Sequence, residues 1–392
     1  MLYFRAPDAN DEMWIEQRTI TPVATSITAF VGRARRGPYN RPVQVRSAAE
    51  YVGVFGALVR DDTLGLAVRQ YFANGAGEAL VVRVRSEAEI SDPALESRRE
   101  GLWSLDSAGL FSLLCVPPPA FGGAADISVQ TRRAAVRYCV ARRAIFVADP
   151  LVAWQSAADV GSVSVGLESP AWGLGPTPNA AVYFPRLRVP DPSGQGELSC
   201  VPCGAVAGVI ARTDAAQGVW KAPAGQRAAL QGVKTLATTT VTEAQYDTLN
   251  MRGVNGLRFL PTQGPVVWGA RTLEGADAAA SEWKYLPVRR LALHLEESIE
   301  RGTPWAADEP NDEPLWAQVR QHVGTFLQEL FRRGAFQGHA PRDAFFVRCD
   351  RSTMTPLDLA EGRLVVVVGF APLKPAEFVV VTIRQRARGQ GV

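Results

Sequence analysis

Histidine is nearly absent: His294, His322 and His339 are the only three in 392 residues, which leaves few side chains able to move protons near neutral pH. Cysteine is sparse too. Cys115, Cys139, Cys200, Cys203 and Cys349 are an odd and scattered set, which argues against a disulfide framework and suits a reducing compartment. Cys200 and Cys203 form a CxxC, but a structural zinc site needs a second ligand pair, and the chain offers neither another CxxC nor two close histidines. Both read as buried thiols near a turn, with no metal or cofactor expected. An excess of either charge is also missing. Lys and Arg number 42 against 39 Asp and Glu, and the resulting +3 is too weak to make nucleic acid or an anionic membrane the main partner. No apolar run approaches the roughly 18 residues of a membrane span; the strongest is the strand-sized LVVVVGF at 364–370. The opening MLYFRAPDANDEMWIEQ has four carboxylates and no apolar run of signal-peptide length. These absences lead to an expectation of assembly in the cytoplasm without stable membrane insertion.

Enzyme motifs are missing as well. The chain has no GxxxxGK[ST] phosphate loop, no GxGxxG after a strand, no HExxH and no GxSxG. His294 and His322 fall in helical stretches, where no motif places a nucleophile or orienting carboxylate beside them. The neighbours Glu296–Glu297 and Asp308–Glu309 would point about 100° apart on a helix, which suits solvated charge better than a shared reaction centre. The reading is that the chain is not an enzyme.

What is present is a turn-rich globular composition, with 47% hydrophobic and 21% charged residues, 35 Gly and 27 Pro. Residues 1–24 are polar and poorly periodic and read as an arm, with Trp14–Ile15 and residues 19–21 forming a short strand. From Ser26 onward ITAFVGRA and VQVRS read as strands and SAAEYVGVFG as a short helix stopped by glycine. A helix with Leu64, Ala67, Val68, Tyr71 and Phe72 on one face follows, then the strand ALVVRVR. Residues 86–108, polar and charged, read as a surface excursion. LFSLLCVPP, a helix over 130–143, AIFVADP and AAVYFPRLRV resume an alternation that predicts an α/β sheet with crossover connections. Trp220 in GVWKAPAG reads either as a subunit contact or as a buried anchor, and Arg271, Arg289 and Arg290 read as structural.

The last third differs. Val288, Leu291, Ala292, Leu295 and Ile299 mark one helix. Trp316, Val319, Val323, Phe326, Leu327 and Leu330 mark a second, capped at Asn311 or Asp312, with Pro314 in its first turn and Gly334 at its end. Three strands follow: AFFVRCD, LVVVVGF and EFVVVTIRQ. LVVVVGF is apolar on both faces, which predicts a central strand. The last strand carries Phe378 and Val380 on one face and Val379, Val381 and Ile383 on the other, which predicts cover from a neighbour.

These blocks, in this order, resemble the tail sheath proteins of contractile bacteriophage tails and related contractile injection systems. The resemblance rests on TSITAFVGRARRGPYNRPVQVRSAAEYVGVFG and LGLAVRQYFANGAGEALVVRV in the first part of the chain. GAVAGVIARTDAAQGVWKAPAG, LNMRGVNGLRFLPTQGPVVWGARTL and KYLPVRRLALHLEESIERGTPW carry it through the middle, and EPNDEPLW and APLKPAEFVVVTI near the end. The opening departs from the family: APDANDEMWIEQRTI stands where sheath chains often begin with a Pro-Gly-Val-Tyr-like strand.

The resemblance implies an α/β fold, α+β overall. Residues 1–24 would be an N-terminal arm, 25–285 an outer mixed α/β domain, and 286–376 an inner domain of helices and a small sheet. Residues 377–392 would be a C-terminal strand or arm that completes the small sheet of a neighbouring subunit. Candidate arm contacts between subunits are then Trp14, Ile15, Thr19, Ile20, Phe378, Val379, Val380, Val381, Ile383 and Arg384. Arg320, Arg332 and Arg333 become tube-facing candidates, although cations at the C-terminal end of a helix also suit its dipole. The implied function is a subunit that polymerises helically around an inner tube and contracts to drive it through a target membrane. Its partners would be itself, the inner tube protein, and baseplate and terminal cap proteins, without direct nucleic-acid contact. It would be part of a phage tail or of a cytoplasmic or extracellular injection particle. The rival reading is a cytoplasmic α/β enzyme or small-ligand binder using the CxxC or a sheet crevice.

Overall fold

The computed structural model describes residues 19–118, 125–238, 241–373 and 379–387. They fall into two units, one of Ala24–Arg290 and one of the described residues in Met1–Val23 and Leu291–Val392.

The first unit is built on an eight-stranded sheet. β1 (Thr28–Gly32), β2 (Val43–Val45), β3 (Ala79–Arg83), β4 (Leu113–Cys115), β5 (Ile145–Ala148), β6 (Ala180–Phe184), β10 (Val254–Leu260) and β11 (Gly264–Val267) lie in the order β11-β10-β6-β5-β4-β1-β3-β2. The strands from β10 to β3 run parallel, and β11 and β2 close the edges antiparallel. Every residue of β1, β4, β5 and β6 is buried, as a parallel sheet covered on both faces requires. The crossovers carry α1 (Ala48–Phe55), α2 (Thr63–Ala73), α3 (Val129–Ala141), α4 (Cys203–Gln217) and α5 (Glu243–Met251). Local chemistry starts them: Ser47, Asp62, Ser128 and Thr242 each accept a first-turn N–H as N-caps. α2 and α4 meet backbone to backbone at Gly204 and Gly208, where an added Cβ would lie 2.1 Å from the Ala67 carbonyl oxygen and 2.4 Å from that of Tyr71.

Two expectations fail in this unit. Residues 86–108 are not a surface excursion: turns at Ala88–Ser91, Pro93–Leu95 and Gly101–Ser107 bury Ile90, Leu95, Leu102, Trp103 and Leu105 in the same cluster as Val82 and Tyr138. Single helical turns bury apolar residues at irregular intervals, so neither the period of 3.6 nor that of 2 reveals them. AAVYFPRLRV is two strands. Pro185, which has no N–H for a ladder, separates β6 from β7 (Leu187–Pro190), and β7 joins a small antiparallel sheet between β8 (Glu197–Cys200) and β9 (Thr235–Leu236).

In the second unit, α7 (Glu313–Arg332) presents the predicted apolar stripe, and Asp312 caps it through the Leu315 N–H at 3.3 Å. Asn311 instead accepts from the Trp316 indole at 2.8 Å. β12 (Phe345–Arg348), β13 (Arg363–Phe370) and β14 (Val379–Arg386) form an antiparallel sheet with β13 central, as its two apolar faces predicted. Residues 19–23 are irregular rather than a strand. Val23 donates to Ser298 Oγ at 3.1 Å, and Ile20 packs where Gly302 leaves no room for a side chain.

The helix α6 (Leu286–Gly302) contains the division between the units, which falls after Arg290. Within the first unit, Arg290 donates to Asp214 Oδ1 at 2.8 Å and Oδ2 at 2.6 Å and to the Thr25 carbonyl at 2.8 Å. The Thr25 hydroxyl donates to Asp214 at 2.7 Å, and both charged side chains are only 3% exposed. Asp214→Asn should therefore lower the unfolding free energy by about 3–5 kcal/mol, because Arg290 is left buried without its counter-charge. Glu313→Gln, in an exposed pair with Arg320, should cost about 0–1 kcal/mol. Urea denaturation of the two variants checks the contrast.

Candidate functional site

An open α/β sheet offers a ligand crevice at the carboxyl ends of its strands, where the winding reverses. Here the reversal lies between β1 and β4, since β3 flanks β1 on one side and β4 on the other. The nearby space, among Thr63, Leu66, Pro118, Cys200 and Val201, is about 10 Å³, the scale of one water. A larger basin of about 270 Å³ lies beside Arg60, Trp154, Arg186, Arg188 and Glu197. Arg60 pairs with Asp191 at 3.3 Å, and Arg186 with Asp126 at 2.7 Å and the Pro150 carbonyl at 3.2 Å, so two of its cations are engaged in holding the fold.

All five cysteines are buried and unpaired by disulfides. Burial pushes the Cys200 and Cys349 thiols up to about 12 and raises those of Cys115, Cys139 and Cys203, which leaves them poor nucleophiles. The CxxC is split between elements. Cys200 ends β8 and Cys203 opens α4, its N–H donating to Asp149 at 2.9 Å. Among the described residues no cluster of His, Cys, Asp and Glu could hold a metal. His294 packs beside the Phe326 ring and His322 beside Trp305.

The candidate assembly residues fall into three groups. Trp14, Ile15 and Phe378 lie outside the described residues. Thr19 is exposed and Ile20 buried in its own chain. On β14, Val379, Val381 and Ile383 are buried, whereas Val380 is 45% exposed and Arg384 exposed. The strand is therefore covered on one face rather than two, because Thr382 and Arg384 accompany Val380 on the outer one. It pairs with β13 of its own chain from Phe370↔Val379 to Arg363↔Arg386, and its other long edge meets no strand among the described residues.

The three arginines of α7 also separate. Arg320 donates to the Cys349 carbonyl and to Glu313 at 2.6 Å, a structural engagement. Arg332 is 71% exposed, 3.8 Å from Glu329, and Arg333 is exposed beside it. Trp220 is a buried anchor packed over Gly218, and Arg271 bonds the Gly275 carbonyl and Asp277. Sequence reasoning read RRGPYNRP as a loop but missed the charge of residues 33–41, whose Arg35, Arg36 and Arg41 are exposed. A local charge count reveals it, with five arginines and no carboxylate between residues 26 and 49.

In comparison with known proteins, residues 178–273 match the phage tail sheath protein central domain and residues 278–386 the phage tail sheath C-terminal domain, together just over half of the chain. The chain is 27% identical to the tail sheath protein of Vibrio phage KVP40 over 177 residues, 45% of this chain and 25% of that protein. It spans about a quarter of the length of the curated phage proteins it matches. Its fold is similar to the helical sheath of the anti-feeding prophage in the contracted state, with a TM-score of 0.74 and 28% identity over 97% of each chain. The contracted PVC sheath of an extracellular contractile injection system gives a TM-score of 0.72 and 28% identity, covering 93% of this chain and 92% of that one.

Asp62 is the ionisable group whose titration is easiest to read. Burial pushes its carboxyl up to about 6, against the pull of the Gly65 N–H it caps at 2.8 Å and of the Tyr51 hydroxyl. The unfolded carboxyl titrates near 3.9, so the folded chain holds this proton more tightly. Its contribution favours folding below about pH 4 and is lost as pH rises through about 6. Asp62→Asn keeps a competent cap, so its melting temperature should fall less than the parent's between about pH 4 and about pH 7. Parallel profiles in thermal melts would contradict this.

Proposed function

We propose, from the premise that this chain belongs to the phage tail sheath family, that it polymerises helically around an inner tube and shortens to drive that tube through a target membrane. The observation that carries this reading is the likeness of nearly the whole chain, both units included, to sheath subunits of contracted injection systems. Work done by such a polymer comes from the difference between two packings of the same subunits, so it needs no catalytic group. Contacts between unlike surfaces that do not close into a ring generate the helix. Its other partners are baseplate and terminal cap proteins, and it assembles in the cytoplasm into a phage tail or injection particle.

Terminal arms link the copies in this reading. Residues 1–24 hold four carboxylates against two arginines, and residues 377–392 three arginines against one carboxylate, so the ends are complementary in charge. The outer edge of β14, which meets no strand among the described residues, can accept a further strand, each added backbone hydrogen bond contributing about 0.5–1.5 kcal/mol net. The residues assigned to this exchange are Trp14, Ile15, Thr19 and Ile20 at one end and Phe378, Val379, Val380, Val381, Ile383 and Arg384 at the other. Arg332 and Arg333 face the tube, where a weak contact gains weight by repetition along the polymer. Arg320, committed to Cys349 and Glu313, supports the helix that presents them.

Negative-stain microscopy of the purified chain, with and without the tube protein, tests the reading. Long sheaths are expected from the parent. Removing residues 1–18 should leave a folded subunit by circular dichroism that forms no sheath, and Arg332→Glu with Arg333→Glu should reduce tube-filled sheaths by about tenfold. Globular particles from the parent under all conditions, melting higher with a small ligand, would contradict it.

A further inference from the structure

We propose that the arginine loop at residues 33–41 docks onto the acidic stretch at residues 308–313 of a second copy of this chain, an inference that rests on the homopolymer reading above. The two segments are opposite in charge to a degree that the balanced total hides. Five arginines and no carboxylate lie between residues 26 and 49, whereas Asp308, Glu309, Asp312 and Glu313 lie between residues 302 and 319 with no Lys or Arg among them.

The loop is built rather than loose. Arg36 N–H donates to the Phe55 carbonyl at 3.0 Å and Asn40 N–H to the Arg83 carbonyl at 2.9 Å. The Arg83 guanidinium reaches under the loop to the carbonyls of Ala34 at 2.8 Å, Gly37 at 2.7 Å and Arg35 at 3.0 Å. A cation from β3 thus satisfies the loop's backbone, while the loop's own Arg35, Arg36 and Arg41 stand exposed. None of the three forms a salt bridge among the described residues, although Arg35 lies near enough to Asp62 to favour its charged form. Holding cations in place before contact lowers the ordering cost of binding.

The acidic stretch is equally fixed. It begins at the end of the Pro304–Asp308 turn and runs into the cap of α7 through Asp312, with Asn311 held by Trp316 and by the Arg363 carbonyl. Asp308 and Glu313 are exposed, with Glu313 also bonded by Arg320 at 2.6 Å. A basic surface in the first unit and an acidic one in the second, on every copy, form the kind of unlike pair that propagates along a helical polymer. A nucleic acid fits less well. The exposed Arg35, Arg36, Arg41 and Arg46 are few for a polyanion, and Tyr39, the loop's aromatic ring, already carries Arg83 at 3.9 Å and Arg85 at 4.7 Å.

The test is the critical concentration for polymer formation, measured by sedimentation at low and high salt on full-length chains. Arg35→Glu, Arg36→Glu and Arg41→Glu together, or Asp308→Arg with Glu309→Arg, should each raise it about tenfold or more, with the difference shrinking at high salt. A chain carrying both sets should return to within about twofold of the parent, since the pairing is restored with its signs exchanged. Two results would overturn the proposal: reversed sets that polymerise like the parent, or a defect the combined chain does not repair. Loop-dependent binding of a polynucleotide or of anionic vesicles by the parent would assign the loop to another partner and overturn it as well. If the parent itself forms no polymer, the homopolymer reading fails first, and this inference with it.

Discussion

The buried pair of Arg290 and Asp214 fixes the point where the chain both enters and leaves the first unit. Thr25 lies one residue inside the unit's first boundary and Arg290 at its last, and Asp214 at the end of α4 binds them both. Two charges at 3% exposure would be costly if either lacked a partner, so the geometry must be complete. Arg290 Nη2 donates both to Asp214 Oδ2 and to the Thr25 carbonyl, and Asp214 Oδ2 also accepts from the Thr25 hydroxyl. The α4 held in this way meets α2 through backbone contact at Gly204 and Gly208, and α2 packs in turn on β1. Arg290, Asp214, α4, α2 and β1 thus form one connected set of contacts.

That arrangement explains which parts of the sequence could be read. Residues whose partners are near in sequence were legible. The stripe of Leu64, Ala67, Val68 and Tyr71, the stripe of α7 and the doubly apolar β13 each announce themselves by period. Arg290 could be read only as structural, because its carboxylate lies 76 residues away. Residues 86–108 hid their burial in turns too short to show a period, and β14 was read as doubly apolar because Phe378 and Val380 outweighed the polar Thr382 and Arg384. The charge of the arginine loop escaped because the whole-chain charge of +3 averages it against the acidic stretch.

The candidate site divides in the same way. The crevice that an enzyme of this topology would use is nearly filled, its nearby thiols are raised out of the reactive range, and the exposed chemistry lies on loops and at a strand edge. The apolar run located the terminal strand, but which of its faces is covered follows from alternation: Val379, Val381 and Ile383 are buried and Val380, Thr382 and Arg384 are not.

The central proposal is that the edge of β14, which meets no strand among the described residues, is closed by a neighbouring copy. Hydrogen exchange of the amides of Val379–Arg386, followed by mass spectrometry with fragmentation in the monomer and in the polymer, tests it most directly. The account predicts alternating protection in the monomer, where only the amides facing β13 are bonded, and protection of the remaining amides once the polymer forms. Rates at the outward-facing amides that are unchanged by polymerisation would contradict it.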